Sequence, residues 1–436
     1  MAGLQDVAQE LKVAVIGGGY AGMAAAVTLA ARGIPVTVFE SAKQMGGRAR
    51  GVWHQDTQLD NGQHILLGCY HHTLRLITQT GGNIEDDFLR LPLQLTLHQR
   101  FELKAAHLPA PLHLLVGLLS AKGISLASRL RAIRFMLTMY RRRFMLVQDN
   151  TALKFLRLHG QDEALIRLLW EPLCISALNT PLYKASAQVL LNVLRDSLSG
   201  ERSASDLLLP RKDLTALFPQ RAAKYLELHG GTVHTSCSVD AIVAQSASFE
   251  LHSTLGTRHY SHVICAATPA SAARLLRAMP QLAPLAAQIE ALEHQPIYTV
   301  YLQYPEYVRL PHPMLGLVRC FTQWLFDKGQ IAGQPGLIAA VISAEGNHQD
   351  LEHSQLAHKV MQELRFHLGI TATPLWHQVI AEKRATFSCE PSLARPAHIT
   401  PLSNLLLAGD YTAGDYPATL EGAVMSGIRC AEAISG

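Results

Sequence analysis

A chain of 436 residues, 48% of them hydrophobic and only 17% charged, has room for two or three domains, a large core and a deep cleft. The charged fraction is well below the roughly 25% of an average soluble domain, which argues against a disordered or merely solvated scaffold. A net charge of +4 is too small for general nucleic-acid binding. Seven cysteines with no C-x-x-C pair exclude a disulfide framework and a zinc knuckle, and they read as small buried hydrophobes in a reducing compartment.

At the start of the chain, Met1 to Glu10 carries acidic residues but no basic one, unlike a secretion signal, so a cytoplasmic protein is expected. Lys12 to Ile16 predicts a buried strand that stops at Gly17-Gly18-Gly19-Tyr20-Ala21-Gly22. Ala21 to Ala31 then predicts a helix, closed by Gly33, and Val36 to Phe39 a second strand ending at Glu40. This is a βαβ unit with a G-x-G-x-x-G turn. In such a unit Gly17 permits the tight turn, Gly19 lets a pyrophosphate approach the backbone, and Gly22 lets the helix pack on the strand. The N–H groups at the helix start, at Tyr20 and Ala21, face phosphate oxygens, and Glu40 accepts from a ribose diol. Met45-Gly46-Gly47-Arg48-Ala49-Arg50 follows, where a simple NAD fold would enter its next helix. Its glycines bring the backbone close to a cofactor, and Arg48 can reach a pyrophosphate or a flavin edge. The same residues also suit a plain hairpin with solvated arginines.

Residues 71 to 204 predict mainly helices: Thr73 to Thr80, Ile124 to Val147, Glu163 to Leu173 and Ala185 to Leu198. Within them, no acid occurs between Glu102 and Asp149, yet eight basic residues do. Leu126, Leu130, Ile133, Leu137, Tyr140 and Phe144 recur at steps of three and four, which forms one apolar helical stripe. With the apolar Leu112 to Leu119 before it, this segment suits a monotopic contact with anionic lipid, or else a core helix with solvated arginines. Ala105 to Ala121 is too short and too broken by prolines for a membrane span.

Further along, Gly230-Gly231 turns into a strand at Thr232 to His234, Ser238 to Ile242 and Tyr260 to Ala267 predict more strands, and Pro296 to Gln303 and Gly336 to Ser343 predict an antiparallel sheet beneath a substrate cavity. Leu356 to Leu368 predicts a helix. Near the end, Asn404 to Ala408 is a buried strand leading to Gly409-Asp410, and a helix starts at Thr419. Asp410 at a strand's C-terminal end suits a ribityl hydroxyl, although a helix cap is its commoner fate. The helix beginning at Thr419 would favour an anionic reduced flavin. Together the two ends of the chain point to FAD.

These elements resemble the flavin amine oxidase and phytoene desaturase superfamily. Narrower stretches are similar to the bacterial hydroxysqualene dehydroxylases: Leu59-Asp60-Asn61-Gly62-Gln63-His64 with Leu67-Gly68, Trp170-x-Pro172-Leu173 with Asn179, Ser205 to Pro210, Glu382 to Phe387, and Pro417 to Gly422. The resemblance implies an α/β, Rossmann-type FAD-binding domain (1–70, 205–290 and 376–436). An α+β substrate domain (71–204 and 291–375) is inserted in it, with 105–147 as the candidate membrane-contact region. It places Gly62 beside the isoalloxazine and Val239 at the adenine end. It further implies reductive loss of an allylic hydroxyl from a C30 isoprenoid, with an outside reductant such as NAD(P)H. Such chemistry needs a proton donor, for which His64, Tyr70 or a water is the candidate, and Gln63 beside them is a further catalytic candidate. A carotenoid-type desaturase and a non-redox prenyl-binding chaperone are the competing expectations.

Overall fold

The computed structural model describes residues 11–198, 200–246 and 248–435, so the acidic first ten residues lie outside the described part. One layer is a five-stranded sheet, all parallel, in the order Thr232–His234, Val36–Phe39, Val13–Ile16, His262–Cys265, Leu405–Leu407. Its central strand is buried at every position, as a parallel strand covered on both faces must be. The helix Tyr20–Ala30 packs on it and is itself buried nearly all round. Five of its eleven residues are alanine, which lets the C-terminal helix Leu420–Glu432 come close. A Cβ on Gly427 would overlap the Ala21 carbonyl, so the approach depends on that glycine.

A second layer is a seven-stranded sheet in the order Trp376–Phe387, His294–Gln303, Leu337–Ser343, Trp324–Asp327, Met314–Gly316, Gln94–Leu97, Phe101–Lys104. Its pairs are antiparallel except at Gly316–Leu97. The helix His353–Leu368 covers one face through Leu356, Val360 and Leu364. The architecture is the expected α/β one. The sequence division had assigned residues from 376 onward to the nucleotide-binding part, yet Trp376–Phe387 pairs along its length with His294–Gln303 and so extends the seven-stranded sheet. Likewise the strand expected over Tyr260 to Ala267 is split at Ser261: Tyr260 ends a hairpin strand and His262–Cys265 joins the parallel sheet.

The helices between the sheets differ from expectation in two instructive ways. The helix from Glu163 runs on to Leu178 through a wider turn at Ile166–Trp170. Pro172 has no N–H for the bond to residue 168, and the wide turn accommodates that missing donor. The helix expected over Ile124 to Val147 spans only Leu126–Arg141. Arg143 and Phe144 take left-handed φ values of 52° and 57°, which ends the helix and turns Phe144 into the core. The expected apolar stripe is therefore not a core face. The buried residues are Ser128, Ala132, Phe135 and Met139, while Leu126, Leu130, Leu137 and Tyr140 are exposed at 52–61%. All seven cysteines are free, and all but Cys320 are buried. Among the described residues, no helix is long and apolar enough to cross a membrane.

Candidate active site

A cavity of about 400 Å³ lies at the C-terminal ends of the parallel strands, where ligands of open α/β sheets bind. Gly17, Gly19, Tyr20, Ala21, Glu40, Gly47, Arg48, Gly62, Gln63, His64, Tyr70, Val239, Gly409, Asp410 and Thr419 all line it. Gly22 alone of the expected residues does not. It sits behind the wall, where a Cβ would collide with the Gly17 carbonyl, so its place is in packing.

The polar end of this cavity is built from backbone. Gly17 turns with φ 112°, and a Cβ there would meet the Ala266 carbonyl. Gly46 and Gly47 also have positive φ, and Gly46 pairs with Gly19 across the cleft. The helix beginning at Tyr20 has Gly19 as its N-cap, with no capping side chain and no acid in its first turn. Its N–H donors are thus offered to the cavity, an arrangement that fits a pyrophosphate. Glu40 is 8% exposed and already fixed, accepting from the Gly18 N–H at 2.7 Å and the Ala42 N–H at 2.8 Å. The same carboxylate both holds the turn and lines the cavity. Val239 lines the wall, and its carbonyl accepts from Arg274, a cavity residue that no local motif announces.

Deeper in, Arg48 bridges the Asp410 carboxylate at 2.5 Å and the Ala385 carbonyl at 2.6 Å. Burial works against the Arg48 charge, but Asp410 beside it holds the guanidinium pKa above its ordinary value. The two residues, 362 apart in sequence, clamp the second glycine-rich loop to the end of the last strand. Lys383 and Arg384 do not join them, because both are exposed on the strand Trp376–Phe387. Thr419 caps its helix by accepting from the Gly422 N–H. Glu421, in the first turn, faces away and accepts from His72 and Thr73.

His64 places Nδ1 at 2.7 Å from the Gly62 carbonyl. A carbonyl only accepts, so Nδ1 carries the proton and Nε2 is bare in the neutral ring. Burial lowers the His64 pKa, and Arg48 adds to that against the pull of the Gly62 carbonyl. The ring is neutral at pH 7, which removes it as a ready proton donor. Gln63 is held from behind: its Oε1 lies 3.4 Å from Lys328 Nζ, and its amide N–H donates to the His64 carbonyl. Lys328 is 4% exposed, and burial lowers its pKa although Asp60 and Asp213 oppose that. Tyr70 is 8% exposed, lines the cavity with Thr419, and is kept protonated by burial well beyond the ordinary phenol range.

A second cavity, of about 170 Å³, adjoins the first. The two share Ile65, Tyr70, Ser176, Ala177, Trp324 and Thr419, so they meet at those side chains. Its wall is almost wholly apolar, with Leu169, Trp170, Leu173 and Leu194 among its residues. Polar groups are few: Asp196 and Tyr416 are among them, and Tyr416 stands edge-on to Tyr70 at 6.4 Å. Sequence reading missed Ser176, Trp324, Tyr416 and Asp196, which only the tertiary fold brings together. The expected residues thus occupy one polar cleft, and behind it opens a pocket fit for hydrocarbon.

Comparison with known proteins agrees with this geometry. Residues 20–435 match the model of the flavin containing amine oxidoreductases. The chain is 30% identical to the hydroxysqualene dehydroxylase of Rhodopseudomonas palustris, over 97% of this chain and 98% of that one. It is 28% identical to the hydroxysqualene dehydroxylase of Sinorhizobium fredii, over 96% and 97%. An oxidoreductase structure from Methanosarcina mazei superposes with a TM-score of 0.75 at 16% identity, covering 97% of this chain and all of that one, and so shares the fold. A cleft walled by glycine-rich backbone, an apolar annex and these relationships agree, and the matches show that the chain belongs to the flavin containing amine oxidoreductase family and, within it, to the hydroxysqualene dehydroxylases.

Proposed function

We propose that the protein binds FAD and reductively removes the allylic hydroxyl of hydroxysqualene, giving squalene. The observation that carries this reading is the junction of the two cavities, where a cleft fit for a dinucleotide meets a pocket whose wall is mostly apolar, with few polar side chains. When bound and reduced, the flavin supplies the hydride. The chain's own residues do the rest. The Gly17–Gly22 turn and helix start hold the pyrophosphate, Glu40 the ribose, and Asp410 with Arg48 the ribityl side. At the substrate carbon a C–O bond breaks and a C–H bond forms, and the oxygen leaves as water after gaining a proton. With His64 neutral and unprotonated at Nε2, Tyr70 is the better candidate to donate a hydrogen bond to the departing oxygen. Leucine and tryptophan walls keep water from the allylic centre.

The reductant comes from outside, NAD(P)H directly or through a carrier. The exposed stripe Leu126, Leu130, Leu137 and Tyr140, with Arg134, Arg141, Arg142 and Arg143 around it, supports peripheral contact with the anionic inner face of a membrane. The seven-stranded sheet supports a substrate unit that extends to Phe387 and a flavin unit made of the remaining terminal and central segments. The test is direct: the anaerobically reduced holoprotein is mixed with hydroxysqualene, and the lipid extract is analysed by gas chromatography with mass detection. Squalene is the expected product. Unchanged hydroxysqualene with flavin bound and reduced would refute the proposal, and a coloured conjugated polyene would reveal a desaturase instead.

A further inference from the structure

The apolar cavity and the exposed stripe share two helices. On Leu112–Ser120, Leu114 and Leu118 line the cavity, while Leu112, Val116 and Leu119 are exposed at 38–49%. On Leu126–Arg141, Met136 lines the cavity, while Leu126, Leu130 and Leu137 are exposed. One helix layer therefore separates the hydrocarbon pocket from an apolar outer surface. Leu114 and Met136 are themselves only half-buried. Soluble surfaces seldom present so many large apolar side chains together unless something covers them.

The charges say what covers them. Of the eight cations between residues 103 and 148, Lys104 and Lys122 pair with Glu102, and Arg131 pairs with Asp162. Arg129 bonds the carbonyls of Leu119 and Ile124. Arg134, Arg141, Arg142 and Arg143 are exposed and, among the described residues, meet no carboxylate. These four lie along and beyond the end of the exposed leucine stripe. Apolar side chains ringed by uncompensated cations complement a layer of anionic headgroups over hydrocarbon.

We infer that the apolar cavity opens into an anionic phospholipid bilayer between helices Leu112–Ser120 and Leu126–Arg141, which form the door through which the hydrocarbon substrate passes. This rests on the isoprenoid reading above and adds the route. Leu118 and Met136 stand at the inner side of the door, and the exposed leucines seat its outer side in the lipid. The link between the two helices turns at Gly123, with φ 91°, where a Cβ would overlap the Arg100 carbonyl, so the hinge end is fixed against the seven-stranded sheet. Movement is left to the helix bodies.

The test uses the flavin-loaded full chain in a Trp53→Phe, Trp376→Phe background, which keeps the two cavity tryptophans, Trp170 and Trp324. Phosphatidylglycerol vesicles carrying a brominated long-chain alkane should pellet the protein and quench this fluorescence, and phosphatidylcholine vesicles should do neither. The double variant Leu118→Phe, Met136→Phe narrows the door from inside. It should still pellet with anionic vesicles but lose both the quenching and the turnover of vesicle-borne hydroxysqualene. Full quenching in that variant overturns the door. A second variant, Leu130→Glu with Leu137→Glu, leaves the cavity untouched and should lose pelleting and quenching together; retained quenching would equally refute the proposal. Quenching without squalene formation would keep the door and discard the dehydroxylase reading. A wild-type protein that ignores anionic vesicles would end the membrane route altogether.

Discussion

The two halves of the site are walled in opposite ways. The proposed cofactor half is made largely of backbone: Gly17, Gly46, Gly47 and Gly409 adopt positive φ and line or border the cavity, where N–H groups are on offer. The hydrocarbon half is made of side chains from seven or more separate segments, with scarcely a polar atom. The contrast teaches that binding a charged, shaped dinucleotide demands specific residues at specific turns, whereas holding an alkene demands only area and volume. Single changes should therefore abolish function in the first half and only weaken it in the second.

The largest expected effect is Gly17→Val, which combines a disallowed φ with a clash against Ala266. The purified protein should be folded by circular dichroism yet colourless, and retained flavin absorbance would break the comparison. At the border of the halves, Tyr70→Phe removes the hydroxyl that lines both cavities. Squalene formation should fall by about 10²-fold with flavin retained, measured by single-turnover flavin reoxidation. An unchanged rate would exclude a Tyr70 hydrogen bond to the departing oxygen. Next, Arg48→Met leaves the nearly buried Asp410 unpaired, at a cost of about 3 kcal/mol, read as a lower unfolding midpoint and weaker flavin retention. On the apolar side, Leu169→Ala should cost a similar ~3 kcal/mol but leave the flavin bound. If it too loses flavin, the halves are not independent.

The smallest effect is a pH slope. Burial raises the Asp60 pKa from 3.8 to about 6, with Lys328 and the Leu214 N–H pulling it back. Between those values the folded state holds a proton that the unfolded chain has released. The stabilisation is therefore present at the acid end and is lost as pH rises through about 6. Asp60→Asn should flatten that part of the melting-temperature curve, since the amide keeps the acceptor but does not titrate. Parallel slopes in the two proteins would remove Asp60 from the account.

What could be read in the sequence follows the same division. Gly17, Glu40, Arg48, Asp410 and Thr419 lie at strand or helix ends, where local chemistry announces a role. Tyr416, Asp196, Ser176 and Trp324 carry no such mark, because their meeting depends on contacts between distant segments. Periodicity found the stripe on the helix Leu126–Arg141 but not the side it faces. Ser128, Ala132, Phe135 and Met139 repeat at the same spacing, and packing, not period, chose them for the core. The helix end was likewise hidden, since a left-handed Arg143 and Phe144 are not the glycine that usually signals one. The boundary at residue 376 failed because a twelve-residue strand, Trp376–Phe387, belongs by pairing to the sheet that precedes it.

The parallel sheet sets its first strands beside its last. Val13–Ile16 borders His262–Cys265, which borders Leu405–Leu407, and the helix Leu420–Glu432 seals the face against Ala21 and Ala25. During synthesis the glycine turn thus leaves the ribosome long before its final walls exist. A chain interrupted before Asn404 lacks Asp410 and the partner for Arg48. Bound flavin would thus report a completed chain, and a chain truncated before that point is expected to be made without colour.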